Sequence, residues 1–166
     1  MPAAAKTAIA DRAEGIPLYA VETVRMLIDR DVVQPIDGVY RLVGDVGELA
    51  VPATLQSLLA ARLDALEPDA RRLVADAAVL GSSFPAEALV AVSDQPEPQV
   101  RRLLAELVRR EVLGVRADPL SPQRGHYGFV QTMFRQVAYD TLSRRERKAR
   151  HLTVADAPAD RLRRHR

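Results

Sequence analysis

The feature that most constrains this fold is a change of hydrophobic period in the middle of the chain. Residues 98–110 carry valine and leucine at the i, i+3, i+4, i+7 spacing of an amphipathic helix. Immediately afterwards, residues 113–116 and 126–130 alternate in the manner of strands, with a turn-rich segment between them. Two further helical segments, at 69–80 and 85–93, come before the change. Three helices followed by a two-stranded ribbon are the order of a winged helix, a variant of the helix-turn-helix.

A separate group of helical signals precedes this segment. Pro17 opens an amphipathic helix, and Asp37-Gly38 between two short apolar runs predicts a small hairpin. A leucine stripe predicts a second helix that begins at Pro52. We therefore expect a mainly α protein without internal repeats. Its expected parts are a helical subdomain with a small hairpin at 1–66, a winged-helix subdomain at 67–142, and a basic C-terminal helix with a frayed tail at 143–166, opened by a Ser143/Glu146 capping box.

Charge and cysteine content exclude several classes of protein. The chain has no cysteine, so disulfides, thiolate zinc sites, iron–sulfur clusters and thiol nucleophiles are excluded, and a cytoplasmic location is favoured. Residues 141–166 hold nine basic against three acidic side chains, whereas residues 1–140 hold 15 basic and 19 acidic ones. The basicity thus belongs to the C-terminus and is weak evidence for nucleic acid. We expect neither a membrane span nor a secretory signal.

No motif for catalysis is found in the sequence. A P-loop needs a lysine after glycine to reach phosphates, and neither Lys6 nor Lys148 follows a glycine. No G-x-S-x-G context supports a nucleophilic serine. We expect a protein that is not an enzyme. We expect ordinary surface roles for His126, His151 and His165. Asp64 and Asp76 are expected on the solvated faces of helices.

Four segments together resemble one protein family. EGIPLYAVETVRMLIDR at 14–30, VPATLQSLLAARLDAL at 51–66, RRLVADAAVLGSSF at 71–84 and YGFVQTMFRQVAYDTLSRRERKARH at 127–151 are similar to the lid and winged-helix region of bacterial STAND-type (AAA-like) ATPases. These multidomain switches are linked to class III adenylate/guanylate cyclase domains or to transcription regulators in actinobacteria. The resemblance covers about residues 8–152 in consistent order.

The resemblance implies a function that depends on other domains. In this family a P-loop domain precedes the lid and helical repeats follow the winged helix, so this chain is expected to be the middle of a larger switch. ATP or ADP would be bound in the full-length parent and not by this fragment alone. The implied partners are a P-loop ATPase domain and an output domain, such as a cyclase or a DNA-binding domain, without a membrane. The expected role is non-catalytic signal transduction that couples nucleotide state to the output.

The resemblance also names residues that would approach the nucleotide. Gly15 and Pro17 match the GxP motif with which related lids approach adenine, and the alternative is that they only start a helix. Gln131 stands where many relatives have a phosphate-reading histidine, and helix capping is its alternative role. Arg62 could face the nucleotide, but we favour pairing with a neighbouring acid on its helix.

The alternative function is a winged-helix DNA-binding transcription regulator. Arg102 and Arg109 on the third helix could enter a major groove while Arg124 in the wing contacts phosphate. Neighbouring acids dilute this charge, so we expect nucleic-acid binding to be weak. A third hypothesis, cyclase activity, rests on association with the family alone, because no cyclase domain is present in the sequence.

Overall fold

A computed structural model describes residues 3–13, 15–36, 38–43, 54–117, 121 and 123–157. The mainly α fold expected from the sequence is confirmed: these residues form eight helices and two small antiparallel sheets of two strands each. Contacts divide the chain into two compact units, unit 1 from Met1 to Ala65 and unit 2 from Leu66 to Arg166.

The described residues of unit 1 form three helices and one hairpin. The bounds are α1 Ala3–Ala13, α2 Pro17–Asp29, β1 Val33–Ile36, β2 Val39–Leu42 and α3 Leu55–Asp64. Helix α1 was not expected from the sequence; it adds Ile9 and Ala13 to a buried cluster that α2 supplies with Met26 and Leu27 and α3 with Leu58. Because α1, α2 and α3 share this cluster, the apolar face of α2 is covered on more than one side.

The hairpin and α3 follow local signals. The β1–β2 pair places Pro35 opposite Tyr40, and the Val43 N–H donates to the Val32 carbonyl at 2.9 Å. In the antiparallel alternation this bond puts Pro35 at a position whose N–H would point away from the ladder, where proline is tolerated. Helix α3 begins at Leu55 because Thr54 caps it, through a reciprocal capping box with Ser57. The predicted start at Pro52 and the turn residue Asp37 lie outside the described residues.

Unit 2 has the order of a winged helix followed by two more helices. The bounds are α4 Pro68–Leu80, α5 Ala86–Val92, α6 Glu97–Arg109, β3 Leu113–Val115, β4 Tyr127–Phe129, α7 Thr132–Asp140 and α8 Arg144–Asp156. Phe84 adds a third, strand-like contact to the wing by exchanging two backbone hydrogen bonds with Tyr127, at 2.9 and 2.8 Å. A Cβ on the adjacent Gly128 would lie 2.6 Å from the Ser82 carbonyl oxygen, so this close approach requires glycine.

Different faces of helix α4 pack against different helices of unit 2. It packs against α5, α6 and α7, and also against α8. Leu73, Val74 and Ala77 are almost completely buried. Ala75 and Val79, on another face of the helix, form a small cluster with Leu142, against which Val154 of α8 packs. Helix α8 itself contains no buried residue, although its predicted Ser143/Glu146 capping box is present with both bonds.

The two units share one local motif that the sequence analysis did not detect. LIDRDV at 27–32 and LVRREV at 107–112 each end a helix and lead into a hairpin. Asp31 and Glu111 both adopt left-handed backbone, with φ of 57° and 54°. The next residue in each case, Val32 or Val112, donates its N–H to the carbonyl five residues earlier at 3.0 Å. This is the hydrogen bond of a Schellman ending, and the left-handed position, where glycine is usual, is occupied here by an acidic residue.

Candidate functional site

Gly15 and Pro17 form an exposed corner before α2. Gly15 has φ of +80°, which side-chain-bearing residues rarely adopt, and no atom lies within 4 Å of the position a Cβ would take. Pro17 is exposed at the first position of α2, where its fixed φ suits the helix. Ile16 and Val21 beside it are 51% and 46% exposed. The corner therefore combines open space at a glycine with an apolar surface at a helix N-terminus.

Arg62 is part of a buried charge network and is not directed toward solvent. Its side chain is 2% exposed, and it forms an ion pair with Glu22, which is completely buried. Its Nε donates to Asp29 Oδ2 at 3.1 Å, and the second oxygen of Glu22 accepts from Arg25 at 2.5 Å. We expected a partner acid on its own helix; these two acids come from α2, 40 and 33 residues earlier. The network joins α2 to α3.

Gln131 lies in unit 2, at the residue that precedes α7. Its backbone has the extended conformation of an N-cap, but its side chain makes no capping hydrogen bond. Gln131 therefore occupies the N-cap position of α7, but its side chain does not cap the helix. Its backbone carbonyl accepts from the Phe134 N–H at 3.1 Å instead. Gln131 is half-buried and belongs to a different unit from Gly15 and Pro17.

The three arginines of the DNA-binding alternative are all exposed. Arg102 and Arg109 lie on α6, and Arg124 lies in the turn between β3 and β4. Within the described residues none of the three forms an ion pair. Neighbouring Arg101 is paired with Glu97 at 2.8 Å, so part of the helix charge is neutralised locally.

A cleft between α4, the loop before α6 and α8 was missed by the sequence analysis. The expectation that Asp76 lies on a solvated helix face is wrong: its side chain is 13% exposed, and Arg150 Nε donates to its Oδ1 at 2.8 Å. Burial raises the pKa of Asp76 to about 6, although the Arg150 guanidinium acts in the opposite direction. Asp76 and Arg150 are 74 residues apart, and the sequence carries no signal that α4 and α8 pack together.

The cleft is small and polar. Its volume is about 250 Å³, and it is lined by Arg72, Asp76, Val92, Ser93, Asp94, Gln95, Ala149, Arg150 and Thr153. Gln95 donates its side-chain N–H to the Asp69 carbonyl at 3.0 Å, which fixes the loop before α6. The Gln95 Oε1 is buried without a hydrogen-bond partner among the described residues, and the cleft lining holds two basic and two acidic side chains, Arg72, Arg150, Asp76 and Asp94.

The histidines make local contacts within unit 2. His126 Nδ1 lies 3.4 Å from the Ser83 hydroxyl, and His151 Nε2 lies 3.0 Å from the Tyr139 hydroxyl. His165 lies outside the described residues. Among the residues that the structure describes, no group of three or more histidine, aspartate or glutamate side chains is arranged to hold a metal ion. No helix in the same part of the chain is long and apolar enough to span a membrane.

Comparison with protein-family models, with curated proteins and with solved structures finds no match for this chain.

Proposed function

We propose that the chain is a non-catalytic regulatory region of a STAND-type ATPase. In this proposal unit 1 is the lid and unit 2 is the winged helix, and together they couple the nucleotide state of a P-loop domain to an output domain. The order of sequence segments that resemble this family, in a chain without a P-loop motif, motivates the proposal. We also propose a cytoplasmic location, which the absence of cysteine supports.

The observation that carries the proposal is the exposed corner at Gly15 and Pro17. An adenine ring is flat with apolar faces and a polar edge, so its faces need a surface that they can approach closely. Open space at Gly15 and the exposed Ile16 and Pro17 would provide one. Arg62 has no part in this contact because Glu22 and Asp29 hold its guanidinium. Gln131 remains a proposed phosphate contact in the parent.

The test measures ATP affinity of a P-loop domain from this family joined to or mixed with this chain. Wild-type chain should raise the affinity, and Pro17→Ala should weaken it roughly three- to tenfold, as expected for loss of one apolar contact. Pro68→Ala is a matched control because Pro68 also occupies the first turn of a helix, α4, and is also exposed. Equal effects of the two substitutions, or no effect of the chain on affinity, would contradict the proposal.

The alternative function, DNA binding, is supported by one observation. Arg102 and Arg109, seven residues apart on α6, are exposed and lie on the helix that precedes the wing. Duplex binding measured across a salt series tests this reading, because each lost phosphate contact lowers the salt slope by about one. Arg124→Gln should lower the slope if the wing contacts phosphate, and Arg102→Gln or Arg109→Gln should reduce sequence selectivity if α6 enters the groove. Lys148→Gln on α8 is the control, and an effect of this control alone would assign binding to the basic helix.

A further inference from the structure

Helix α8 is attached to unit 2 by little apolar surface. None of its residues is buried, and Leu152 is 53% exposed. Val154 is half-buried and packs on the cluster of Ala75, Val79 and Leu142. Because apolar burial is the main favourable contribution to helix docking, this contact stabilises the docked position only modestly.

The polar contacts of α8 are of two kinds. Arg147 lies over the Tyr139 ring at 4.5 Å and donates to the carbonyls of Leu142 and Asp140 at 3.0 and 3.3 Å, and His151 contacts the Tyr139 hydroxyl at 3.0 Å. These contacts tie α8 to the end of α7 and not to α4. Arg150 instead reaches the buried carboxylate of Asp76. The pair between Arg150 and Asp76 is therefore the main polar contact that holds α8 on α4.

The two members of this pair affect the docking of α8 in opposite directions. The charged groups that face Asp76 are Arg150 on α8, Arg72 on α4, and Asp94 in the loop before α6. The burial of the carboxylate costs free energy, and the single bond from Arg150 offsets only part of that cost, as the raised pKa of Asp76 indicates. If α8 moved away, water could reach Asp76.

We propose that α8 is a detachable strap, hinged at Leu142 and Ser143, which opens while the rest of unit 2 stays folded. The Asp76 carboxylate opposes closure of the strap, and the Arg150 guanidinium favours it. Opening uncovers the apolar face formed by Ala75 and Val79 together with the cleft around Asp76. The strap is thus a conformational device built into unit 2, and it does not depend on the proposed ATPase role.

Thiol labelling tests the proposal because the chain has no cysteine of its own. Ala75→Cys places a thiol under α8, and Ala77→Cys places one on the core face of the same helix, where Ala77 is fully buried. Cysteine is a small apolar substitute for alanine at both sites. Under native conditions we expect the thiol at 75 to react with a maleimide about tenfold faster than the thiol at 77, because local opening needs less free energy than global unfolding. Equal rates would overturn the strap.

Two further variants test the charge assignment at constant pH 7.5. In the Ala75→Cys background, Asp76→Asn should slow labelling and Arg150→Gln should speed it, each by roughly three- to tenfold. The same substitutions in the Ala77→Cys background report any change in global unfolding, and the effects on position 75 are taken relative to it. A merely structural ion pair would give faster labelling in both variants, and that result would overturn the assigned roles of Asp76 and Arg150.

Discussion

Each unit joins two helices with an ion pair, which is fully buried in unit 1 and part-buried in unit 2. In unit 1, the side chains of Glu22 and Arg62 are 0% and 2% exposed. In unit 2, those of Asp76 and Arg150 are 13% and 25% exposed. Both pairs connect an acid on an earlier helix to an arginine on a later one. The comparison therefore shows how burial and the number of partners change the contribution of an ion pair to stability.

Glu22 and Asp76 differ in how many hydrogen bonds compensate their buried charge. Both carboxylate oxygens of Glu22 accept from arginine, and Arg62 also donates to Asp29. Removal of one member therefore leaves a buried charge without full compensation. Asp76 has one bond to Arg150, and burial raises its pKa to about 6. The site of this carboxyl therefore favours the charged form less than water does.

The largest expected effect is the loss of Arg62. Arg62→Met keeps apolar volume between α2 and α3 but removes one of the two arginines that donate to the fully buried Glu22 carboxylate. We expect the free energy of unfolding of unit 1 to fall by about 3–5 kcal/mol, the range for breaking a buried pair from one side. Urea unfolding followed by circular dichroism, with hydrogen exchange of α2 and α3 amides to locate the change, measures it.

Two controls sharpen this first prediction. Arg102→Met makes the same substitution at an exposed position on α6 and should change stability by about 0.5 kcal/mol or less. Glu22→Met combined with Arg62→Met removes both charges and should recover much of the loss, since no fully buried carboxylate then remains uncompensated. A loss below about 1 kcal/mol in Arg62→Met would show that the network is not required, and the contrast with unit 2 would fail.

The second prediction has the opposite sign. Asp76→Asn keeps the shape of the side chain without the charge that burial penalises, so it should stabilise unit 2 at pH 7.5 by up to about 3 kcal/mol, as a pKa raised from 3.8 to about 6 implies. Because the folded carboxyl binds its proton more tightly than the unfolded one, the contribution of Asp76 to the stability of wild-type unit 2 should rise as the pH falls from about 7 toward 4.

The pH dependence is the control for that second prediction. The stability advantage of Asp76→Asn should be largest above pH 6 and should shrink as wild-type Asp76 takes up a proton. Urea unfolding of both proteins at pH 7.5, 6 and 5 measures this difference directly. A variant that is destabilised equally at all three pH values would place Asp76 in the same class as Glu22.

The sequence predicted the helices and hairpins better than it predicted these pairs. Proline at a helix start, as at Pro17, and the capping box at Ser143 are local signals, so the corresponding helix starts could be read directly. Arg62 and Asp76 bind partners on other helices, and a single sequence carries no signal of that pairing. The same reason explains why the bridge from Phe84 to Tyr127 was missed.

The smallest expected effect concerns the helix ending that both units share. Asp31 and Glu111 have positive φ, a conformation that costs roughly 1 kcal/mol for most residues and less for aspartate. Asp31→Gly and Glu111→Gly should therefore each stabilise their unit by about 0.5–1 kcal/mol, with the larger gain at Glu111. Urea midpoints measure both.

Arg30→Gly and Arg110→Gly are matched controls, because these preceding residues have φ of −98° and −81° and gain nothing from glycine's freedom. Equal changes at the acidic positions and at the arginines would mean that backbone strain is not what distinguishes the shared ending.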